Sequence, residues 1–209
     1  MIEAHWLLFF VASVVVIATP GQDMILVMSK ALSQGARAGV TTAAGVSVGL
    51  LGHTLLATLG LGALLRTSEW LFVALKFVGA AYLVYLGVQL LLTRSASLKA
   101  AATARHSHRQ LFLTGAASNI SNPKIAVFFF AFLPQFVVPD AVRPTLTVFV
   151  LGALFALLTF LIKGPVALFA GRLSSWFQAR PQALLWLYRS SGLVMLGLAV
   201  KLVLSRREG

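Results

Sequence analysis

Thr19-Pro20-Gly21-Gln22-Asp23 is a polar break set inside an apolar run, and it carries a carboxylate. A second polar stretch, Ser118-Asn119-Ile120-Ser121-Asn122-Pro123-Lys124, carries an ammonium and again places a proline just before apolar sequence resumes. Lys163-Gly164-Pro165 adds another cation beside a proline. A carboxylate and two ammonium groups in apolar surroundings suit the binding of a zwitterion or the carriage of a proton. Intramembrane ionisable groups are costly and mark such roles by default. The plainer reading of each is a proline kink whose polar groups satisfy one another.

The local chemistry of the first break is legible. Thr19 is expected to cap a new helical segment, with Pro20 at its first position and Gln22 in capping-box spacing. Pro20 has no N–H to give Val16, so that carbonyl is freed. Asp23 falls in the first turn, where the helix dipole favours an anion. At the second break Asn122 is the expected N-cap and Pro123 the first helical residue. Lys124 then sits where the dipole disfavours a cation, so an anionic partner is expected, either Asp23 or a ligand carboxylate.

Irregular backbone facing lipid leaves polar groups unsatisfied, so both breaks must face protein or a cavity. The membrane premise is compositional. The 209 residues are 59% hydrophobic and 11% charged, with mean hydropathy +0.91; soluble domains carry about 25% charged residues. Six stretches have the roughly 20-residue length a hydrocarbon core requires: 6–29, 39–63, 70–93, 111–137, 145–170 and 184–204. The fold class expected is therefore an all-α integral membrane protein with six transmembrane helices, broken at Pro20 and Pro123. The N-terminus lacks a basic n-region, so the first span is expected to be retained. With no cysteine, disulfides and thiolate metal sites are excluded.

The net charge of +12 follows topology. The first, third and fifth loops hold Lys30, Arg37, Arg94, Lys99, Arg105, Arg109, Arg172 and Arg180 without an acid. On the other side Glu3, Glu69, Asp140 and Glu208 accompany Arg66, Arg143, Arg206 and Arg207. The Lys/Arg bias puts the odd loops in the cytoplasm and both termini outside, so no nucleic-acid partner is expected. Residues 94–110 read as a basic cytoplasmic linker attracted to anionic lipid. Their His106-x-His108 pair has no further ligands beside it, and neither metal nor cofactor is expected.

Other polar residues keep two readings. His53, at mid-depth in the second span, is either hydrogen-bonded in a packed interface or part of a proton relay. Lys76 and Arg189 suit snorkelling; Lys163 either snorkels or faces the cavity. Gly35-x-x-x-Gly39 and Gly45-x-x-x-Gly49 permit close helix approach, within one chain or between copies, which leaves homo-oligomerisation open.

After the linker the chain starts again. The proline breaks correspond, and Lys76-x-x-Gly79 is echoed by Arg189-x-x-Gly192. Residues 1–93 and 111–209 thus read as two three-helix repeats of opposite orientation within one transporter domain, the arrangement that places a site at the midplane.

Several of these segments carry a family resemblance. Thr19-Pro20-Gly21-Gln22-Asp23-Met24, residues 75–87 (Leu75-Lys76-Phe77-Val78-Gly79 through Tyr85-Leu86-Gly87), Ser121-Asn122-Pro123-Lys124 and Phe132-Leu133-Pro134-Gln135-Phe136 resemble the LysE/RhtB amino-acid exporters. The likeness spans essentially the whole chain and is greatest to the RhtB branch. One departure is Gln22, where the family usually has the second proline of Pro-Gly-Pro. The resemblance implies proton-driven export of small amino acids or their derivatives, of homoserine, threonine or leucine type, across a bacterial inner membrane, and no enzymatic activity. On that reading Thr19, Pro20, Gly21, Gln22, Asp23, Asn122, Pro123, Lys124 and Lys163 contact substrate. Asp23 pairs with the substrate amino group or carries the coupling proton. The competing classes are a structural or assembly membrane protein and a metal-ion exporter of a more distant family, which would want acid and His clusters along its helices.

Overall fold

A computed structural model describes residues 4–67, 69–94, 105–138 and 141–204, with the backbone alone at 61–67, 69, 71, 72 and 75. Lys99, Glu3, Asp140, Arg206, Arg207 and Glu208 lie outside the described residues, as do the side chains of Arg66 and Glu69 and most of the expected linker. The described chain is almost all helical, joined by short turns and loops, with one isolated bridge between Ala4 and Val137.

Helix α1 (Trp6–Ala18) and α2 (Gln22–Gln34) meet at a 52° bend. Gly35, at φ +92°, makes the turn into α3 (Ala36–Thr67), a conformation that favours glycine. Helix α4 (Glu69–Leu92) follows, then α5 (His108–Ile120) and α6 (Pro123–Val127). The chain continues as a π-helical turn at Phe128–Phe132 and a 3-10 turn at Leu133–Phe136. Helices α7 (Pro144–Leu168), α8 (Ala170–Ala179) and α9 (Pro181–Leu204) complete it.

Among the described residues three helices are long and apolar enough to cross a membrane unbroken, α3 through residues 36–60 together with α7 and α9, and the bent α1–α2 pair has the length and apolarity of a broken span or a re-entrant loop. The expected span at 111–137 is a chain of short pieces, because Pro123 and Pro134 interrupt it and the Phe run widens into π geometry. The expected loop after the fifth span is instead the amphipathic helix α8, so α9 begins at Pro181, and Arg189 stands well inside it. Pro165 does not end α7, which runs on to Leu168. The linker also ends early. Ser107 caps α5 in a reciprocal capping box with Gln110, a Ser-x-x-Gln signal present in the sequence.

Glycines set two close helix crossings. A Cβ on Gly45 would strike the Phe112 carbonyl of α5, and one on Gly115 would strike the Thr42 carbonyl of α3. In α4 and α9, Gly87 and Gly192 face each other, each with a Cβ position under 3 Å from the other's carbonyl oxygen. Meanwhile Leu7, Leu55, Leu59, Leu92, Leu161 and Leu193 stand exposed on the outside, as a lipid-facing surface requires.

One end of the bundle is tied together through the basic loops. The His106 N–H donates to Gln34 Oε1 at 2.8 Å, and His108 Nδ1 lies 3.0 Å from Thr41 Oγ1. Lys30 is not a solvated loop cation. It is buried, with Nζ 3.4 Å from His106 Nδ1. The other end is closed by aromatic packing among Phe9, Phe128, Phe132, Phe136 and Phe155. Phe128 stacks on Phe155 at 4.6 Å, and the His5 N–H donates to Phe136 O at 2.7 Å.

Candidate functional site: two helix breaks around a buried carboxylate

The first break uses a different cap from the one expected. Gly21, not Thr19, occupies the N-cap of α2, and no side chain caps that helix. The Thr19 hydroxyl donates backward to Val15 O at 2.6 Å, ending α1 instead of starting α2. Gln22 forms no capping box; its Nε2 reaches α5, 3.2 Å from Ser118 Oγ and 3.3 Å from Ser118 O. The cause is backbone reach. Pro20 and extended Gly21 lie outside helix geometry, which moves the first helical residue to Gln22.

The carbonyl that Pro20 leaves free is taken by Lys124. Its Nζ donates to Val16 O at 2.9 Å, so the cation at the start of α6 is met by the negative end of α1. Of the two anionic partners expected for Lys124, Asp23 does not take this contact; the Val16 carbonyl does. At the second break Asn122 is the N-cap, accepting from the Lys124 N–H at 3.1 Å with Pro123 next. The two broken helices are thereby joined crosswise, the second supplying the cation that finishes the first.

Asp23 is buried and held from two sides. Asn119 Nδ2 donates to Oδ2 at 2.8 Å and the Ser118 hydroxyl to Oδ1 at 3.2 Å, both from the last turn of α5. Lys163, equally buried, approaches from α7 with Nζ 3.5 Å from Oδ2. Of its two sequence readings, facing the interior is the observed one. His53 of α3 lies 3.2 Å from the Asn119 carbonyl; because a carbonyl only accepts, Nε2 carries the hydrogen.

Two spaces adjoin the breaks. The inner one, around Asp23, Thr159, Lys163 and Asn119, measures about 10 Å³, enough for about one water. The outer one measures about 340 Å³ and is walled by Tyr82, Leu86 and Gln89 of α4, Tyr188 and Met195 of α9 and both breaks. It reaches Thr93, just past the end of α4. Thr19, Gly21, Asn122 and Lys124 border both spaces, while Pro20, Gln22 and Pro123 line only the larger. Lys124 is the charged residue shared between them.

All nine sequence candidates thus converge, Lys163 among them through Asp23. Sequence reasoning gave no role to Ser118 and Asn119, although both stand in the polar stretch before Pro123, within a turn of the break. Gln89, Tyr188 and Met195 carried no signal, and Tyr82 stood only within the matched segment 75–87, since helix rotation decides which of a helix's residues line a cavity.

The family model for the LysE type translocator matches residues 14–206. The chain belongs to the LysE translocator family. Among relatives, a homoserine/homoserine lactone efflux protein of Salmonella typhimurium is 31% identical over 178 residues, 85% of each chain. An uncharacterised membrane protein of Pseudomonas aeruginosa is 33% identical over 194 residues, 90% of each. Another, from Vibrio cholerae, is 37% identical over 135 residues, covering 64% of this chain and 65% of its own. No solved structure gives a significant match. As a LysE translocator the chain is a multi-pass membrane protein of a transport family with a small-molecule substrate, and its relatives include named efflux proteins.

Proposed function

We propose that this LysE translocator exports small amino acids or their derivatives, of the homoserine, threonine or leucine type, by alternating access with proton antiport. The observation that carries the reading is the meeting of two helix breaks around Asp23 and Lys124, with open space on one side and packed phenylalanines on the other. The Salmonella relative's name supports the substrate class.

In this mechanism the substrate carboxylate enters the larger cavity and takes the Lys124 ammonium from Val16 O. Amide donors at the starts of α2 and α6 assist it. The substrate ammonium goes to Asp23. Asn119 and Ser118 hold that carboxylate in place, so its geometry is fixed before substrate arrives.

Alternation is assigned to two inverted repeats, residues 1–93 and 111–209, joined by the 94–110 linker. Support comes from the reciprocal Gly87–Gly192 crossing between the last helix of each half. The interval from Pro123 to Gly192 exceeds that from Pro20 to Gly79 by the ten residues of α8, which has no counterpart in the first half. With the basic loops in the cytoplasm of a bacterial inner membrane and both termini outside, the 340 Å³ cavity faces inward, ready to load.

Counterflow in proteoliposomes tests the proposal. Wild-type protein is expected to exchange labelled homoserine, threonine or leucine, and Asp23→Asn to abolish exchange while inserting normally. Wild-type rates from Asp23→Asn remove the residue from the mechanism, and no exchange of any amino acid by the wild type ends the reading.

A further inference from the structure

Asp23 already has an ammonium beside it. Lys163 Nζ is a primary ammonium, the same chemical group that the substrate would present, and it stands 3.5 Å from Oδ2 where the Asn119 amide stands 2.8 Å away. Charge-assisted N–H···O contacts settle near 2.7–2.9 Å, so Lys163 is the looser of the two partners on this oxygen. Both members of the pair are nearly dry, at 6% and 3% side-chain exposure. The space around them, about 10 Å³, does not admit a second cation while Lys163 occupies it. The site therefore holds an internal copy of half its proposed substrate.

Resting on the export reading above, we propose that Lys163 and the substrate ammonium compete for Asp23, and that the proton exchanged for substrate is the one on Lys163 Nζ. Loading from the cytoplasm proceeds as follows. Lys163 passes one proton to cavity water and becomes a neutral amine, Asp23 stays ionised, and the substrate ammonium takes its place. A buried ammonium that has lost its carboxylate is strongly destabilised, so proton release accompanies substrate entry. On the far side the steps reverse. Substrate leaves, Lys163 takes a proton from outside water and rejoins Asp23, and the carrier returns with its carboxylate neutralised. One proton enters for each substrate exported.

Other charges near Lys163 leave this competition intact. Among the described residues lining the inner space, α2 contributes Asp23 and α6 contributes Lys124, which is engaged with Val16 O. From α3, His53 is held on the Asn119 carbonyl. Lys30 of α2 lies at the basic end with His106, and α8 brings only the exposed Arg172. Asp23 is the one acid facing Lys163 in that space.

The test separates exchange from net transport in proteoliposomes, with L-homoserine as the probe. Exchange never requires the empty carrier to return, whereas net efflux does. In Lys163→Gln the ratio of net efflux to exchange is expected to fall at least tenfold, because Asp23 has lost its internal cation. The apparent affinity of the wild type is expected to rise with pH, by up to tenfold per unit for one competing proton, and that of Lys163→Gln to be flat. Lys163→Arg, whose guanidinium keeps its proton, is expected to fold and to lose both modes. An unchanged ratio in Lys163→Gln, or wild-type net efflux by Lys163→Arg, overturns the proposal. Should Lys163→Gln fail to accumulate, Lys163→Arg decides alone. Absence of exchange in the wild type counts against the export reading, not against this competition.

Discussion

Pro20 acts through a hydrogen bond it cannot make. Its missing N–H leaves Val16 O to Lys124, a contact that ties the two breaks together beside those of Gln22 and Asp23 with Ser118 and Asn119. Pro20→Ala restores a rival donor for that carbonyl. The expected result is a straighter α1–α2 junction and a half-saturation concentration for homoserine about tenfold higher, read by counterflow; an unchanged value means Lys124 does not depend on the break. Gln22 behaves differently. It is the first residue of α2, a position where proline is well tolerated, so the family's usual proline and this glutamine suit the same backbone. Gln22→Pro should change stability by less than about 1 kcal/mol, as expected for an exposed hydrogen bond, measured by thermal melting in detergent. The freed Val16 carbonyl and the Asn122 cap were legible in the sequence because each follows from proline chemistry over four residues. The Thr19 cap was misassigned because Thr and Gly compete at N-caps, and Pro20 with extended Gly21 moved the start by two residues.

At the level of elements, α3 and α5 are set by glycines that sequence alone described only as permissive. Gly45 and Gly115 each leave room for the other helix's carbonyl, so an added methyl must push the backbones apart. Gly45→Ala or Gly115→Ala is expected to cost about 1–3 kcal/mol as overpacking, seen as a lower melting temperature in detergent. Because α5 carries Asn119 and Ser118, the same shift moves the donors off Asp23, and transport should fall along with stability. Gly60→Ala, which meets open space, is the matched control. Helix α8 escaped sequence reading for a physical reason. Ten residues with an apolar face, Arg172 among them and Arg180 at their end, resemble a basic loop once the apolar count falls below what a span needs.

Among the described residues, the large cavity reaches Thr93 at the basic end, and the other end is packed with phenylalanines. The chain has no cysteine, so single-cysteine variants report access against a clean background. Thr93→Cys and Leu86→Cys, which border the large cavity, should react with a membrane-impermeant maleimide from one side only, with homoserine slowing Leu86→Cys. Phe132→Cys, in the aromatic packing, should stay unlabelled. Equal labelling of Leu86→Cys and Phe132→Cys would show that the open and shut ends are misassigned. The apolar, helical character of the chain was readable from the sequence because it is a property of composition, whereas the six expected spans meet three unbroken helices of spanning length and one bent pair among the described residues. The rotation of α4 and α9, which brings Tyr82 and Tyr188 to the cavity, depends on which of many glycines make the crossing.

The phenylalanine packing also has an electrical meaning. If water fills the large cavity under the proposed topology, it would carry the potential of the basic side up to the breaks, and the membrane voltage would fall mostly across the layer of Phe9, Phe128, Phe132, Phe136 and Phe155. That layer is thin and apolar, and it acts as the dielectric of a small capacitor with Asp23 and its two lysines on one plate. Under the proposed antiport, exchanging a zwitterion for a proton would move one elementary charge per cycle through it, a drive of about 2.3 kcal/mol per 100 mV. A potassium diffusion potential imposed without a pH gradient should therefore power export by itself.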